Sequence, residues 1–178
     1  RMRTALGDGY VDAVRGSWSD VPETSDFVMY WWDNAAELVR AGQVRRFGFI
    51  TTNSLKQVFN RKVAERHLTA KNPVSLVFAI PDHPWVDSTD GAAVRIAMTV
   101  AGSKGQTGAL ASVVAETANA DDEVDVALAA RTGEIHADLS VGTGVSRALP
   151  LASNSGVCFQ GMNLVGKGFR LSASEVHD

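Results

Sequence analysis

Two β-prone runs, "VSLVFAI" (Val74–Ile80) and "AAVRIAMTVAG" (Ala92–Gly102), stand so close that only "PDHPWVDSTDG" separates them. A loop of about ten residues is too short for the helical crossover that joins parallel strands, so these two must pair antiparallel. Upstream the pattern is different. "VPETSDFVMYWWDNAAELVRAG" offers Pro22 near a first turn, Thr24 or Ser25 as a cap, Arg40 late and Gly42 as a stop. Val28, Trp31, Ala35, Leu38 and Val39 recur there at helical spacing, which predicts a helix that buries this stripe, Trp31 included. "FGFITT" (Phe47–Thr52) is a short apolar run, predicted as a central strand covered on both faces. Asn53 or Ser54 then caps a second helix through about His67, and Asn72 and Pro73 break the chain before the next strand.

Helix, strand, helix, strand, loop, strand is the order of an open α/β sheet. In such sheets ligands collect beyond the carboxyl ends of the parallel strands. Here those ends are Thr51-Thr52-Asn53-Ser54 and Pro81-Asp82-His83-Pro84-Trp85. Small polar side chains at the end of an apolar strand predict a cleft wall.

A chain of 178 residues, 45% hydrophobic, can bury a core as one domain or as a domain with an extension. The net charge of -3 excludes a global basic field, so any contact with nucleic acid must be local. Lys56, Arg61, Lys62 and Arg66 form a basic helix face that can meet phosphates or stand solvated. Cys158 is the only cysteine, which excludes an internal disulfide framework and a thiolate zinc site and fits a reducing compartment, by default the cytoplasm. His67, His83, His136 and His177 show no ligand spacing, so no metal is expected. No run approaches the roughly 20 apolar residues of a membrane span, so no membrane partner is expected. After Gly102, short Val- and Ala-rich runs between Gly and Asp-Asp punctuation predict a β-rich segment or extended arm, dividing the chain into 1–102 and 103–178. "NPV" at Asn72 is a helix-to-strand turn. "VGTGVSR" from Val141 lacks the third glycine of a dinucleotide loop and is a plain turn.

The stretch "DFVMYWWDNAAELVRAGQVRRFGFITTNSLKQVFNRKV", followed by "SLVFAIPDHPWVDSTDGAAVRIAMTV", resembles the catalytic domain of S-adenosylmethionine-dependent DNA methyltransferases that modify the adenine amino group. The likeness is to the large single-chain restriction and modification type and covers roughly Arg1 to Val100. "GVCFQGMNLVGKGF" resembles the start of the segment that leads toward target recognition in that family. The resemblance implies the C-terminal part of a Rossmann-like class I methyltransferase sheet, ending in an antiparallel strand pair and followed by a β-rich extension. It implies DNA as partner and S-adenosylmethionine as cofactor. The family's glycine-rich cofactor loop and Asn-Pro-Pro-aromatic catalytic motif would belong upstream of Arg1. The chain alone is therefore expected to hold no catalytic residue, to be inactive and not to bind the cofactor. It should also leave an unpaired sheet edge that invites dimerisation. Trp85, flanked by Pro84, stands where the family places its base-stacking aromatic, and an extruded adenine needs such a flat surface. Asp82, Asn53 and Thr52 would share that cleft. From the residues alone, Trp85 can instead close the edge of a core, Asp82 can cap a loop and Asn53 a helix. The whole can also be a noncatalytic α/β interaction domain.

Overall fold

A computed structural model describes residues 2–85, 94–118, 124–144 and 151–157. Cys158, His177, the loop interior 86–93 and most of the tail lie outside the described residues. The chain divides into a compact unit over Arg1–Ser146 and a second over Arg147–Asp178, whose described residues, 151–157, include a short 3-10 turn at Ala152–Asn154. Among the described residues no helix is long and apolar enough to cross a membrane.

The first unit runs α1 (Met2–Leu6), α2 (Asp8–Ser17), α3 (Val28–Arg40), β1 (Arg46–Thr52), a 3-10 turn (Asn53–Lys56), α4 (Val58–Thr69), β2 (Val74–Pro84), β3 (Arg95–Ser103), β4 (Gly108–Ala118) and β5 (Val124–Gly133). The five strands form one mixed sheet in the order β1-β3-β2-β4-β5. β3 lies antiparallel between β1 and β2, as the short loop before it requires. β1 and β2 are therefore parallel to each other and end on the same side of the sheet. The segment after Gly102 forms the β4–β5 ribbon, antiparallel within itself and joined to β2 in parallel at Phe78 and Ala79.

Four expectations need correction. β1 is an edge strand, not a central one, since β3 is its only neighbour among the described strands. Thr51 on one face is buried, Phe47 on the same face meets Trp32 edge-on at 5.1 Å, and Ile50 on the opposite face is 54% exposed. Helix α3 starts at Val28 without a side-chain cap, and Ser25 instead donates from Oγ to the Phe59 carbonyl at 3.2 Å. Its buried stripe is Met29, Trp32, Ala36 and Val39, while Trp31 is 57% exposed. Phe27–Trp32 is apolar on every side, so helical spacing alone cannot choose between two adjacent tryptophans. The indole N–H decides: Trp32 Nε1 donates to Thr99 Oγ1 of β3 at 3.3 Å, which satisfies the one polar atom of a fully buried ring. The helix expected from Asn53 to His67 is interrupted at Gln57, whose backbone is extended, and Asn53 caps nothing.

Helix α4 packs on α3 through Val63, Ala64 and His67. The His67 ring is fully buried and its Nε2–H donates to Asp33 Oδ1 at 2.8 Å. Arg66 joins the same carboxylate and reaches Asp20 at 2.9 Å. With a proton on Nε2, His67 cannot also accept from the neighbouring Arg66 guanidinium, so Asp33 is the acceptor that both share.

β4 approaches β2 so closely that a Cβ on Gly108 would sit 2.3 Å from the Leu76 carbonyl oxygen and 2.6 Å from the Ile135 side chain. Backbone cannot yield there, so Gly108→Ala is expected to lower stability by about 1–3 kcal/mol, the usual cost of overpacking. A denaturant midpoint unchanged from wild type would mean that β4 does not sit this close to β2.

Candidate functional site

Thr52 of β1 and His83 of β2 pair with the same residue, Ile96, from opposite sides of β3. The two predicted strand ends therefore open together on one edge of the sheet. The register between β2 and β3 shifts between Ile80 and His83, which makes Pro81 and Asp82 a bulge; bulges of this kind re-aim a side chain. Asp82 Oδ1 accepts a hydrogen bond from Asn53 Nδ2 at 3.0 Å, so the two cleft candidates meet directly. Arg95 Nε stands 2.8 Å from the same oxygen, an ion-pair contact without the alignment of a good hydrogen bond.

Burial favours the protonated form of Asp82, but Arg95 and the Asn53 amide outweigh it, with help from the charge of Lys56, and hold the carboxyl below the usual carboxylate range. A lowered folded-state pKa gives stability that is present above the unfolded value, near 3.9, and lost as the pH falls through the folded one. The side chain is 39% exposed, so solvent keeps this contribution small. Asp82→Asn should accordingly flatten part of the acid limb of the stability-versus-pH curve and leave neutral pH little changed. An acid limb identical to wild type would show that Asp82 is not paired in solution.

The small hydroxyls that end β1 have a structural partner that the sequence did not disclose. Asp26 Oδ2 accepts from Ser54 Oγ at 2.5 Å, from Asn60 Nδ2 at 2.8 Å and from Thr52 Oγ1 at 3.4 Å. The Asp26 backbone N–H in turn donates to Asn60 Oδ1 at 2.8 Å. Asn60 is 6% exposed in the first turn of α4, and a polar side chain buried there needs partners such as these. This web fixes the turn after β1 and leaves Thr52 at the surface, with Asn53 aimed across at Asp82.

Trp85 is 45% exposed, and its backbone N–H donates to the Val94 carbonyl at 2.9 Å, closing the base of the loop. Pro84 pairs with Arg95, and His83 donates from Nδ1 to the Pro84 carbonyl at 2.7 Å. Of the basic candidates, Lys56 and Lys62 are exposed and Arg61 is half-buried. Lys62 Nζ lies 5.9 Å from the centroid of the Phe59 ring, itself exposed. Arg66 does not share this face, because Asp20 and Asp33 hold its guanidinium. Arg95 escaped the sequence analysis altogether.

The wall thus presents an ionised carboxylate, an amide, hydroxyls and a flat ring, which are groups for binding and orienting. Among the described residues no group of His, Cys, Asp and Glu is arranged to hold a metal ion. The turn that follows β1, Asn53–Lys56, is Asn-Ser-Leu-Lys and contains no glycine. No protein-family model matches the chain, and no curated protein matches it. Among solved structures, the Type IIL restriction-modification enzyme MmeI in complex with DNA is similar in fold, with a TM-score of 0.59 over 77% of this chain at 18% identity. The chain spans 18% of that protein's length.

Proposed function

We propose that this chain is the base-facing, distal part of the catalytic domain of a DNA adenine methyltransferase that uses S-adenosylmethionine, with the residues after Gly102 leading toward target recognition. The observation that carries the proposal is the convergence of the ends of β1 and β2 on the start of β3, with Asn53 bonded to Asp82 and Trp85 exposed beside them. An enzyme that methylates a base amino group must take the base out of the duplex and hold it flat. A ring at the mouth of a polar cleft supplies that surface, and stacking on it contributes about 1–3 kcal/mol per base. Lys56 and Lys62 would meet nearby phosphates. The likeness to MmeI, a restriction-modification enzyme solved with DNA, supports a role in restriction-modification or phage defence. The Rossmann-like identity of the sheet belongs to the same proposal: β1 would pair along its free edge with a strand from the rest of the domain, and in isolation that edge would favour dimerisation.

The cofactor supplies the methyl group, while the residues here orient the acceptor base and exclude water from it. The cofactor itself would be held by residues outside this chain. Isothermal calorimetry on the chain alone should accordingly detect no micromolar binding of S-adenosylmethionine. The alternative, a noncatalytic α/β interaction domain, would use the exposed β1 edge for a protein partner. The deciding experiment gives the full-length protein labelled S-adenosylmethionine and DNA and then analyses the nucleosides. Label on the adenine amino group is expected; no label, or label on cytosine alone, would remove the proposal.

A further inference from the structure

The Arg95 side chain occupies a place that neither its strand nor its loop requires. Its guanidinium touches two carboxylates from different elements, Asp82 Oδ1 in the β2 bulge through Nε at 2.8 Å and Glu116 Oε1 on β4 through Nη2 at 2.8 Å. The two acids would otherwise repel each other. A rigid planar fork sets both distances at once, which a lysine, as a flexible point charge, cannot do. Arg95 also sits opposite Pro84 in the β2–β3 ladder, next to the Trp85–Val94 closure of the loop. Asp82 is pinned by Arg95 on the β3 side and by Asn53 from the end of β1.

We propose that Arg95 is a positioning residue that clamps the Asp82 bulge to Glu116 of the β4–β5 ribbon and so fixes where Trp85 stands at the cleft mouth. The inference rests on the proposed base-binding role of Trp85 for its functional consequence, but not for its geometry. The three side chains are 34%, 39% and 37% exposed. Ion pairs that open to water add little to stability, so the clamp acts on placement. It also ties the ribbon to the end of β2, since one guanidinium meets both Asp82 and Glu116.

The test uses the full-length protein labelled with 5-fluorotryptophan, with the Trp85 fluorine resonance assigned by Trp85→Phe. Arg95→Lys and Glu116→Gln should each shift or broaden the Trp85 resonance and leave that of the buried Trp32 in place, with melting temperature changed by no more than about 4 °C. Methyl transfer by Arg95→Lys should fall on the order of 10- to 100-fold in kcat, the scale of a misplaced reacting group, with Glu116→Gln intermediate. An unmoved Trp85 resonance overturns the clamp, and so does movement of the Trp18, Trp31 and Trp32 signals along with it and a large loss of melting temperature, which would make Arg95 a general structural residue. Wild-type protein that transfers no methyl group defeats the methyltransferase proposal instead, and the fluorine spectra still decide the clamp.

Discussion

Asp33→Ala is expected to lower the stability of the chain by about 1–3 kcal/mol, the cost of leaving a buried hydrogen-bond donor without its acceptor. Asp33 is 4% exposed and takes hydrogen bonds from both Arg66 and the fully buried His67. Its loss strips the ring of its only well-formed hydrogen bond, since His67 Nδ1 already lacks a partner and Glu37 stands 3.8 Å away. Arg66 suffers less, because Asp20 and solvent remain within reach. Asp33→Asn keeps an oxygen for His67 and gives up the charge, so its effect should be smaller than that of alanine. The pH dependence has a definite sign. Burial works against the ionised form of Asp33, but the hydrogen bonds from His67 and Arg66 prevail and lower its pKa. The stabilisation is thus complete above the unfolded value, near 3.9, and disappears as the pH falls through the lower folded value. Wild type should lose stability more steeply on acidification than Asp33→Asn. An alanine variant within about 0.5 kcal/mol of wild type, the range of an ordinary surface change, would mean that the α3–α4 contact does not depend on this cluster.

The second large effect concerns Trp85, and it should appear in function instead of stability. With nearly half its surface open to solvent, the ring encloses no core, so Trp85→Ala should cost no more than about 1 kcal/mol of stability. Under the proposed function, capture of an extruded adenine by the full-length protein should weaken by about 1–3 kcal/mol, roughly 5- to 150-fold at 1.4 kcal/mol per factor of ten. Trp85→Phe should recover much of that loss, because a flat ring remains. A tryptophan buried in a core would behave oppositely, losing about 3–5 kcal/mol of stability on truncation. Melting curves and methyl-transfer rates on the same two variants separate the cases.

The pairing of β2 with β3 and the meeting of the β1 and β2 ends at one end of the sheet were legible because each follows from one local fact, the length of the loop and the position where β propensity stops. Asn53 and Asp82 could be nominated for the same reason, although their contact could not, since 29 residues separate them in sequence. What escaped depends on tertiary choices. Trp31 and Trp32 both fit an apolar stripe, and only Thr99, 67 residues from Trp32, selects between them. β1 reads as a buried strand by composition, yet its burial on two faces depends on neighbours that composition does not specify. Arg66 looks like a solvated base until α3 brings Asp33 beside it. Arg95 opens a strand after a loop and carries no motif. Its role exists only because a bulge and a separate ribbon place two acids within reach of one guanidinium.

The placement of the base can be tested without kinetics. In a duplex recognised by the full-length protein, the target adenine is replaced by 5-iodouracil, the complex is irradiated, and the cross-linked residue is identified by mass spectrometry. A cross-link at Trp85 that disappears in Trp85→Ala and survives in Trp85→Phe is the expected result. A cross-link at another residue, with Trp85 unmodified in a complex that still methylates unmodified DNA, would show that the flipped base does not stack at this end of β2.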